Sequence, residues 1–358
     1  MHIVRKKTRE ITVGNIKIGA DNPVIVQSML KNRLENRKAV ISEVQTLQKA
    51  GCEIIRTAIY NHESLYYLKN LLSEKSLKVP VVADIHFDYM LAIGALEAGA
   101  HCVRINPGNI GGLERLGKVI MKAKEKKAAV RIGVNSGSVE TRILKRNAGN
   151  MLNSILESVA GTVEFFENMH FYNFKISAKA SSVMDTIGAY EAISSKIDYP
   201  LHIGVTEAGP LFTGSIKSSL GIGILLSVGI GDTVRVSLTG SSELEVKAAY
   251  AILSNLEIRK RGVNIISCPT CGRTRDDLEG IVKKVENMTA GITESIKIAV
   301  MGCVVNGPGE AKDADIGIAC GIKKAAIFKN GKIIKRVDVS DAVFELENEL
   351  KSYKKLYN

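Results

Sequence analysis

Eight times in succession a short β-rich segment is followed by a helical stretch, and no other feature of the chain limits its folds so severely. The strand candidates are Val24–Met29, Glu53–Ala58, Val79–His86, His101–Asn106, Ala129–Asn135, Phe174–Lys179, Leu201–Thr206 and Thr233–Ser237. Amphipathic or apolar stretches such as Lys38–Ala50, Tyr89–Ala98 and Glu243–Arg259 lie between them. Strands that alternate with helices read as a parallel α/β fold. Eight βα units in a row predict a closed (β/α)8 barrel of the TIM type, with an open doubly wound sheet as the alternative. Gly51, Gly99 and Gly262 follow three of the helical stretches, where a left-handed residue ends a helix.

The alternation changes after Gly262. A strand over Val263–Ser267, a helix over Asp276–Asn287 and a strand over Ser295–Val300 come first. A glycine-rich loop, a strand over Asp315–Ala319 and a hairpin around Asn330-Gly331 follow, the latter a standard two-residue turn. A helix over Asp341–Tyr353, capped by Ser340, ends the pattern. The 358 residues therefore divide into a barrel, 1–262, and a smaller α+β domain, 263–358. A barrel of roughly 250 residues fits that division.

Polar residues recur at every second position toward the strand ends. They are Arg56; Asp84 and His86; Arg104 and Asn106; Arg131 and Asn135; Ser177 and Lys179; His202 and Thr206; Arg235 and Ser237. Residues two apart share one face of a strand, and Gly133 and Gly204 share it here, so these side chains should project inward. Barrel active sites occupy the mouth at the C-terminal ends of the strands. Any one of these arginines could be a salt-bridged structural residue. Arg56, Arg104, Arg131, Arg235 and Lys179 together are too much charge for a packed core, because unpaired buried charge is costly. They argue for a polyanionic ligand, since the guanidinium fork suits phosphate. The Pro107–Gly112 loop could add backbone N–H groups, or could be a plain turn.

The second domain carries its own chemistry. Cys268 and Cys271 can grip one metal centre from a single turn, and Cys303 joins them only through the fold. Gly307-Pro308-Gly309 turns the backbone tightly so that Glu310 can face the same place. Three thiolates and one carboxylate suit an iron–sulfur cluster with an exchangeable corner. A structural zinc site using Cys268, Cys271, Cys303 and Cys320, a redox-active or disulfide pair, and buried unliganded thiols are the other readings. Cys320 is the rival to Glu310 as fourth ligand, whereas Cys52 and Cys102, set among apolar residues, read as small core hydrophobes.

Composition excludes several classes. No run of apolar residues is long enough for a transmembrane helix. The start, Met1 to Lys7, is basic but lacks the apolar region of a signal peptide. Six cysteines without a secretory segment read as reduced thiols in the cytoplasm. A net charge of +12 suits nucleic acid, an anionic small substrate or an acidic partner. Aromatic residues at 5%, without Trp, are thin for stacking on bases, and no nucleic-acid motif is present.

Barrel helices run from the mouth back to the bottom, so the cluster domain begins on the wrong side of its own barrel. Either the small domain swings a long way round, or it caps the mouth of a second subunit; with so short a link the second, a head-to-tail homodimer, is favoured.

Cys268-Pro269-Thr270-Cys271-Gly272-Arg273-Thr274, taken with Met301-Gly302-Cys303-Val304-Val305-Asn306-Gly307-Pro308-Gly309-Glu310, closely resembles the hydroxymethylbutenyl diphosphate synthases. These are iron–sulfur enzymes of the non-mevalonate isoprenoid route. The likeness covers the whole chain and includes Pro23–Ser28, Ala83–Phe87, Val103–Gly111 and Gly204–Gly209. It implies a (β/α)8 barrel followed by a smaller domain like the cluster domain of sulfite and nitrite reductases, and the same head-to-tail dimer. It implies one 4Fe–4S cluster per chain, held by Cys268, Cys271, Cys303 and a displaceable Glu310. The implied substrate is the cyclic diphosphate of methylerythritol, bound by Arg56, Arg104, Arg131, Asn135, Lys179, Thr206, Arg235 and Ser237, with Glu207 supplying a proton. Flavodoxin or ferredoxin is the implied electron donor, and neither nucleic acid nor a membrane is an implied partner.

Overall fold

Valine, isoleucine and alanine at alternate positions of short strands give the first part of the chain one face to bury against helices and another to close on itself. The computed structural model describes residues 3–135, 137, 139–180, 182–271, 274, 277–303 and 313–352. The chain divides into units Met1–Arg259 and Lys260–Asn358, against the junction expected between residues 262 and 263.

The first unit opens with a hairpin, β1 (Ile11–Val13) and β2 (Ile16–Ile18), turned by Gly14 at φ 60°. Eight parallel strands follow: β3 (Ile25–Met29), β4 (Ile54–Ala58), β5 (Val81–Asp84), β6 (Cys102–Ile105), β7 (Ala129–Asn135), β8 (Phe174–Lys179), β9 (His202–Ile203) and β10 (Thr233–Val234). Their spatial order is β8-β7-β6-β5-β4-β3-β10-β9. A parallel bridge between Ile176 and Leu201 joins the two ends, with Ile176 N donating to Pro200 O at 2.9 Å. The sheet is thus the closed barrel that the alternation predicts.

The helices are α1 (Arg37–Ala50), α2 (His62–Leu72), α3 (Tyr89–Glu97), α4 (Leu113–Glu125), α5 (Thr141–Arg146), α6 (Met151–Asn168), α7 (Val183–Lys196), α8 (Leu211–Ser227) and α9 (Ser242–Asn255). The side chains of Asn36, Asn61, Asp88, Asn150, Ser182 and Ser241 each accept from an N–H in the first turn of the next helix. These caps satisfy donors that a helix cannot satisfy itself, and so fix where each βα loop ends. Outward strand residues such as Val26, Ala83, Val130 and Ile176 share one core with the helix faces.

Inward residues near the strand starts, Ile25, Ile54, Val82, Cys102 and Ala129, form a separate cluster with Ile11, Val13 and Ile18 of the hairpin. The hairpin therefore plugs the bottom of the barrel, a feature absent from the sequence reading. The sequence also predicts Gly262 just past a helix. That helix, α9, stops at Asn255, and Glu257, itself left-handed at φ 56°, carries the chain away from it. Gly262 has φ 73° but lies in the connection that follows.

The second unit is a mixed sheet in the order β11 (Val263–Ser267), β12 (Ile296–Met301), β13 (Ile316–Cys320), β14 (Lys324–Lys329) and β15 (Lys332–Asp338). The first three strands are parallel and the last two return antiparallel. Asn330 and Gly331 have φ 48° and 74°, the conformation that a two-residue hairpin of this twist requires. Helices α10 (Leu278–Thr289) and α11 (Ala342–Lys351) bury Ile281, Val285, Leu346 and Leu350 against one face of the sheet. Ser340 does not cap α11. The helix grows out of a 3-10 turn, Val339–Asp341, and Ser340 Oγ donates to Asp341 Oδ1 at 3.3 Å.

The plug yields a stability test. Ile18 is fully buried in it, and Ile18→Ala should cost about 3 kcal/mol through lost burial and the cavity left behind. Urea unfolding measures this, and an unchanged midpoint would show that the hairpin is not packed into the barrel.

Candidate functional site

Strand register sets ionisable side chains side by side inside the barrel. Ala58 pairs with Asp84, Asp84 with Arg104, Arg104 with Arg131 and Arg131 with Lys175. Neighbours at one level of a sheet point the same way, and the residues on either side of each pack outward against helices. One carboxylate therefore faces three cations in one inward row, all of them buried.

Asp84 is the hub of that row. Its Oδ1 lies 3.3 Å from Arg104 Nη1, and its Oδ2 lies 3.7 Å from Arg56 Nε and 3.5 Å from His86 Nε2. Burial alone would raise the Asp84 carboxyl. Arg56, then the His86 hydrogen bond, Arg104 and Arg131 overcome that effect and hold it well below the usual carboxylate range. Burial, opposed by Asp84 and reinforced by Arg235 and Arg104, pushes the Arg56 guanidinium down to about 10.

Space for the Arg104 guanidinium comes from Gly133, where a Cβ would lie 2.4 Å from Arg104 Nε. Arg131, fully buried, donates from Nε to Ser177 Oγ at 3.0 Å. Arg131 Nη1, Arg104 Nε and Arg235 Nε are buried without a hydrogen-bond partner among the described residues. Such N–H groups ask for an acceptor.

Lys179 and Asn135 pair at the ends of β8 and β7 and are half-buried at the rim. Loss of water, then Arg56, Arg235, Arg131 and Arg104, push the Lys179 ammonium well down. Arg235 and Ser237 lie just past β10 and Thr206 just past β9, because these two strands are shorter than the sequence predicts. At Gly204 the backbone comes so close to Arg235 that a Cβ would sit 2.4 Å from Arg235 O. Arg235 N still donates to Ile203 O at 3.1 Å, so the side chains keep their inward register. Glu207 is exposed and holds φ 52°, a left-handed conformation that costs a residue with a side chain on the order of 1 kcal/mol.

Behind Arg235 stands Glu245, buried in the first turn of α9. It accepts from Ser28 Oγ at 2.9 Å and Leu238 N at 3.0 Å, and lies 3.0 Å from Lys31 Nζ and 3.8 Å from Arg235 Nη2. Sequence reasoning missed it, because an acid in a first helical turn reads as solvated surface. It also missed Lys175, although that residue continues the alternation of Ser177 and Lys179.

In the second unit, Cys268 follows β11 and Cys303 comes just after β12, its parallel neighbour, with Ser267 and Val300 in register. Gly302 N donates to Cys268 Sγ at 3.2 Å. Thr274 N donates to Cys271 O at 2.8 Å, Cys271 N donates to Thr274 Oγ1 at 3.2 Å, and a Cβ on Gly302 would meet Thr274 Oγ1 at 3.0 Å. These contacts bring the three thiols to one end of the sheet, with Cys271 exposed and the other two half-buried. Among the described residues, no three His, Cys, Asp or Glu side chains are drawn close enough to hold a metal ion as they stand. Cys320 is fully buried in the helix-facing core. Glu310 lies outside the described residues. An N–H directed at a cysteine sulfur is a device that tunes sulfur-held metal centres, so the thiol set fits an iron–sulfur cluster.

The Asp84 hub gives a pH prediction. A depressed carboxylate stabilises the fold fully above its unfolded value of about 4, and that contribution is lost as pH falls toward the folded value. Asp84→Asn should therefore cost about 3 kcal/mol at pH 7, and the gap from the parent should narrow below pH 4. Urea unfolding at pH 7 and 3.5 measures it, and an equal gap at both would refute the hub.

Residues 8–250 match the GcpE TIM-barrel domain family and residues 264–352 the GcpE protein C-terminal domain family. The chain is 49% identical over 347 residues to the 4-hydroxy-3-methylbut-2-en-1-yl diphosphate synthase (flavodoxin) of Caldanaerobacter subterraneus subsp. tengcongensis, covering 97% of both chains. It is 48% identical to the proteins of the same name from Sulfurihydrogenibium sp. and Persephonella marina, covering 97% of this chain and 98% of each of those. An inward row of cations at a barrel mouth, a separate three-thiol domain and likeness along nearly the full length lead to one conclusion: this chain belongs to the 4-hydroxy-3-methylbut-2-en-1-yl diphosphate synthase family.

Proposed function

We propose that the barrel mouth binds 2-C-methyl-D-erythritol 2,4-cyclodiphosphate and that the chain reduces it to 4-hydroxy-3-methylbut-2-en-1-yl diphosphate, opening the ring and releasing water. The charge imbalance of the inward row carries this reading. Buried guanidinium N–H groups of Arg104, Arg131 and Arg235 lack acceptors, and a diphosphate supplies them in the geometry that the Arg fork prefers. Arg56, Lys179 and the polar rim of Asn135, Thr206 and Ser237 complete the set of contacts.

Each residue then has a task. The cations hold both phosphates, so the one released as the ring opens stays in place and its developing charge is stabilised. Arg104 is oriented by Asp84 and given room by Gly133. Glu207, exposed beside Thr206 on a strained backbone, donates the proton that lets the expelled hydroxyl leave as water. One 4Fe–4S cluster per chain, held by Cys268, Cys271, Cys303 and Glu310, supplies two electrons one at a time when bound, which side chains cannot do.

Flavodoxin or ferredoxin is the electron donor in this reading. Flavodoxin is favoured by the names of the relatives, and a net charge of +12 suits an acidic partner of either kind. The catalytic unit is a head-to-tail homodimer in which the cluster domain of one copy serves the mouth of the other. A stripe of exposed apolar residues on α8, Phe212, Ile216, Leu220 and Ile224, offers a face for a second copy to cover. Among the described residues no helix is long and apolar enough to cross a membrane.

Two outcomes test this reading. Protein prepared without oxygen should contain about four irons per chain and no zinc, and should consume the cyclodiphosphate with an artificial reductant. Cys303→Ser should lose the cluster's visible absorbance and turnover together, and Glu207→Gln should keep the absorbance while kcat falls about a hundredfold or more. A zinc-loaded protein, or a fully active Cys303→Ser variant, contradicts the assignment.

A further inference from the structure

In the same inward row as Arg104 and Arg131, the barrel holds a lysine to which the proposed reaction gives no task. Lys175 is fully buried, extends inward from β8 and makes its one described hydrogen bond across the interior to Gln27 Oε1, at 3.5 Å. Nearby, Gln27 Nε2, Arg131 Nη1 and His202 Nε2 are buried with no hydrogen-bond partner among the described residues. The interior is thus rich in donors and poor in acceptors at and around the row that faces the substrate.

The elements around Lys175 bring it cations and neutral groups, and their acids are already engaged. β3 gives the neutral Gln27, and β4 and β7 give the cations Arg56 and Arg131. β6 gives Arg104 and Cys102, and burial pushes the Cys102 thiol up to about 11, so it stays neutral. β5 gives Asp84, already committed to Arg104, Arg56 and His86. β9 gives His202, held neutral by burial and by Arg131, Lys175, Lys179 and Arg56. β10 gives Thr233, bonded to His202, and Arg235 beyond it. Asp232, just before β10, is taken by Arg5 Nη2 at 2.9 Å, Thr8 Oγ1 at 3.0 Å and Leu201 N at 2.9 Å. The hairpin below contributes only apolar residues.

Among the described residues, therefore, no carboxylate is free for Lys175. Guanidinium groups keep their protons under such crowding, whereas a buried lysine gives one up. Burial is the first cause that pushes Lys175 down to about 8, with Arg131 and Arg56 adding to it against Cys102 and Asp232.

We propose that Lys175 gains a proton when the cyclic diphosphate enters the mouth, so that polyanion binding and proton uptake are a single linked event at a residue beside Arg131, in the same inward row as the substrate's arginines. The inference rests on the mouth being the diphosphate site. Two phosphates above the row bring the negative charge that the interior lacks, and linkage requires that whatever the substrate does for the proton, the proton does for the substrate. Binding should weaken as pH rises above 8, because the proton must then be drawn from solvent.

Calorimetric titration of the anaerobically prepared holoenzyme with the cyclodiphosphate, in pairs of buffers with different ionisation enthalpies, counts the protons. Uptake by the parent should exceed uptake by Lys175→Met by about 0.4 proton at pH 8 and again at pH 9, with little difference at pH 7. Lys175→Met should bind about tenfold more weakly at pH 7, and that gap should close as pH rises past 8. A role in packing alone would not move the proton count. Lys175→Gln is read in the same way should the Met variant fail to fold. Equal uptake by parent and variant overturns the inference while leaving the functional reading standing. Failure of the parent to bind the cyclodiphosphate overturns the functional reading itself.

Discussion

A single carboxylate set among several guanidinium groups governs the barrel interior. Asp84 contacts Arg56, Arg104 and His86, while Arg131 and Lys175 continue the same inward row with no acid of their own among the described residues. A core built for stability alone would hold branched apolar side chains there. Here the apolar work is moved outward to the helix layer and downward to the hairpin plug, where Ile11, Val13 and Ile18 seal the bottom. The plug and the charged interior belong together, because the barrel gives up part of its central packing to carry uncompensated charge.

That imbalance also explains the small features around it. Gly133 is bare because the Arg104 guanidinium occupies the space a side chain would fill. Glu245 and Ser28 stand behind Arg235 and Lys31, on the outer side of the strands. The left-handed Glu207 sits where the loop after β9 turns at the mouth. Strain and unpaired polar groups collect at this end of the barrel, as they do at functional sites generally.

Much of this was legible in the sequence, and the exceptions have physical causes. Strands β7 and β8 carry strong alternation over long segments and lie where the pattern puts them, Ala129–Asn135 and Phe174–Lys179. β9 and β10 are only two residues each, and the close approach of the backbone to Gly204 just beyond them is something no periodicity reveals. The N-terminal hairpin is too short to show a period. Its meaning emerges only from the strand starts that it touches. Cys268 and Cys303 could be paired from their motifs, and adjacent parallel strands do bring them to one end of a sheet. Lys175 was in plain view on the alternating face, but a lysine in mid-strand gives no sign of being buried until the barrel closes over it.

In the proposed function labour is divided between the units, with affinity in the barrel and electron supply in the thiol domain. Calorimetric titration of the cyclodiphosphate into protein stripped of iron tests that division most directly. Binding should persist within about tenfold of the iron-loaded protein, roughly 1.4 kcal/mol, since the cations of the mouth carry most of it. Loss of all measurable binding without iron would contradict the account and move the site's affinity to the cluster.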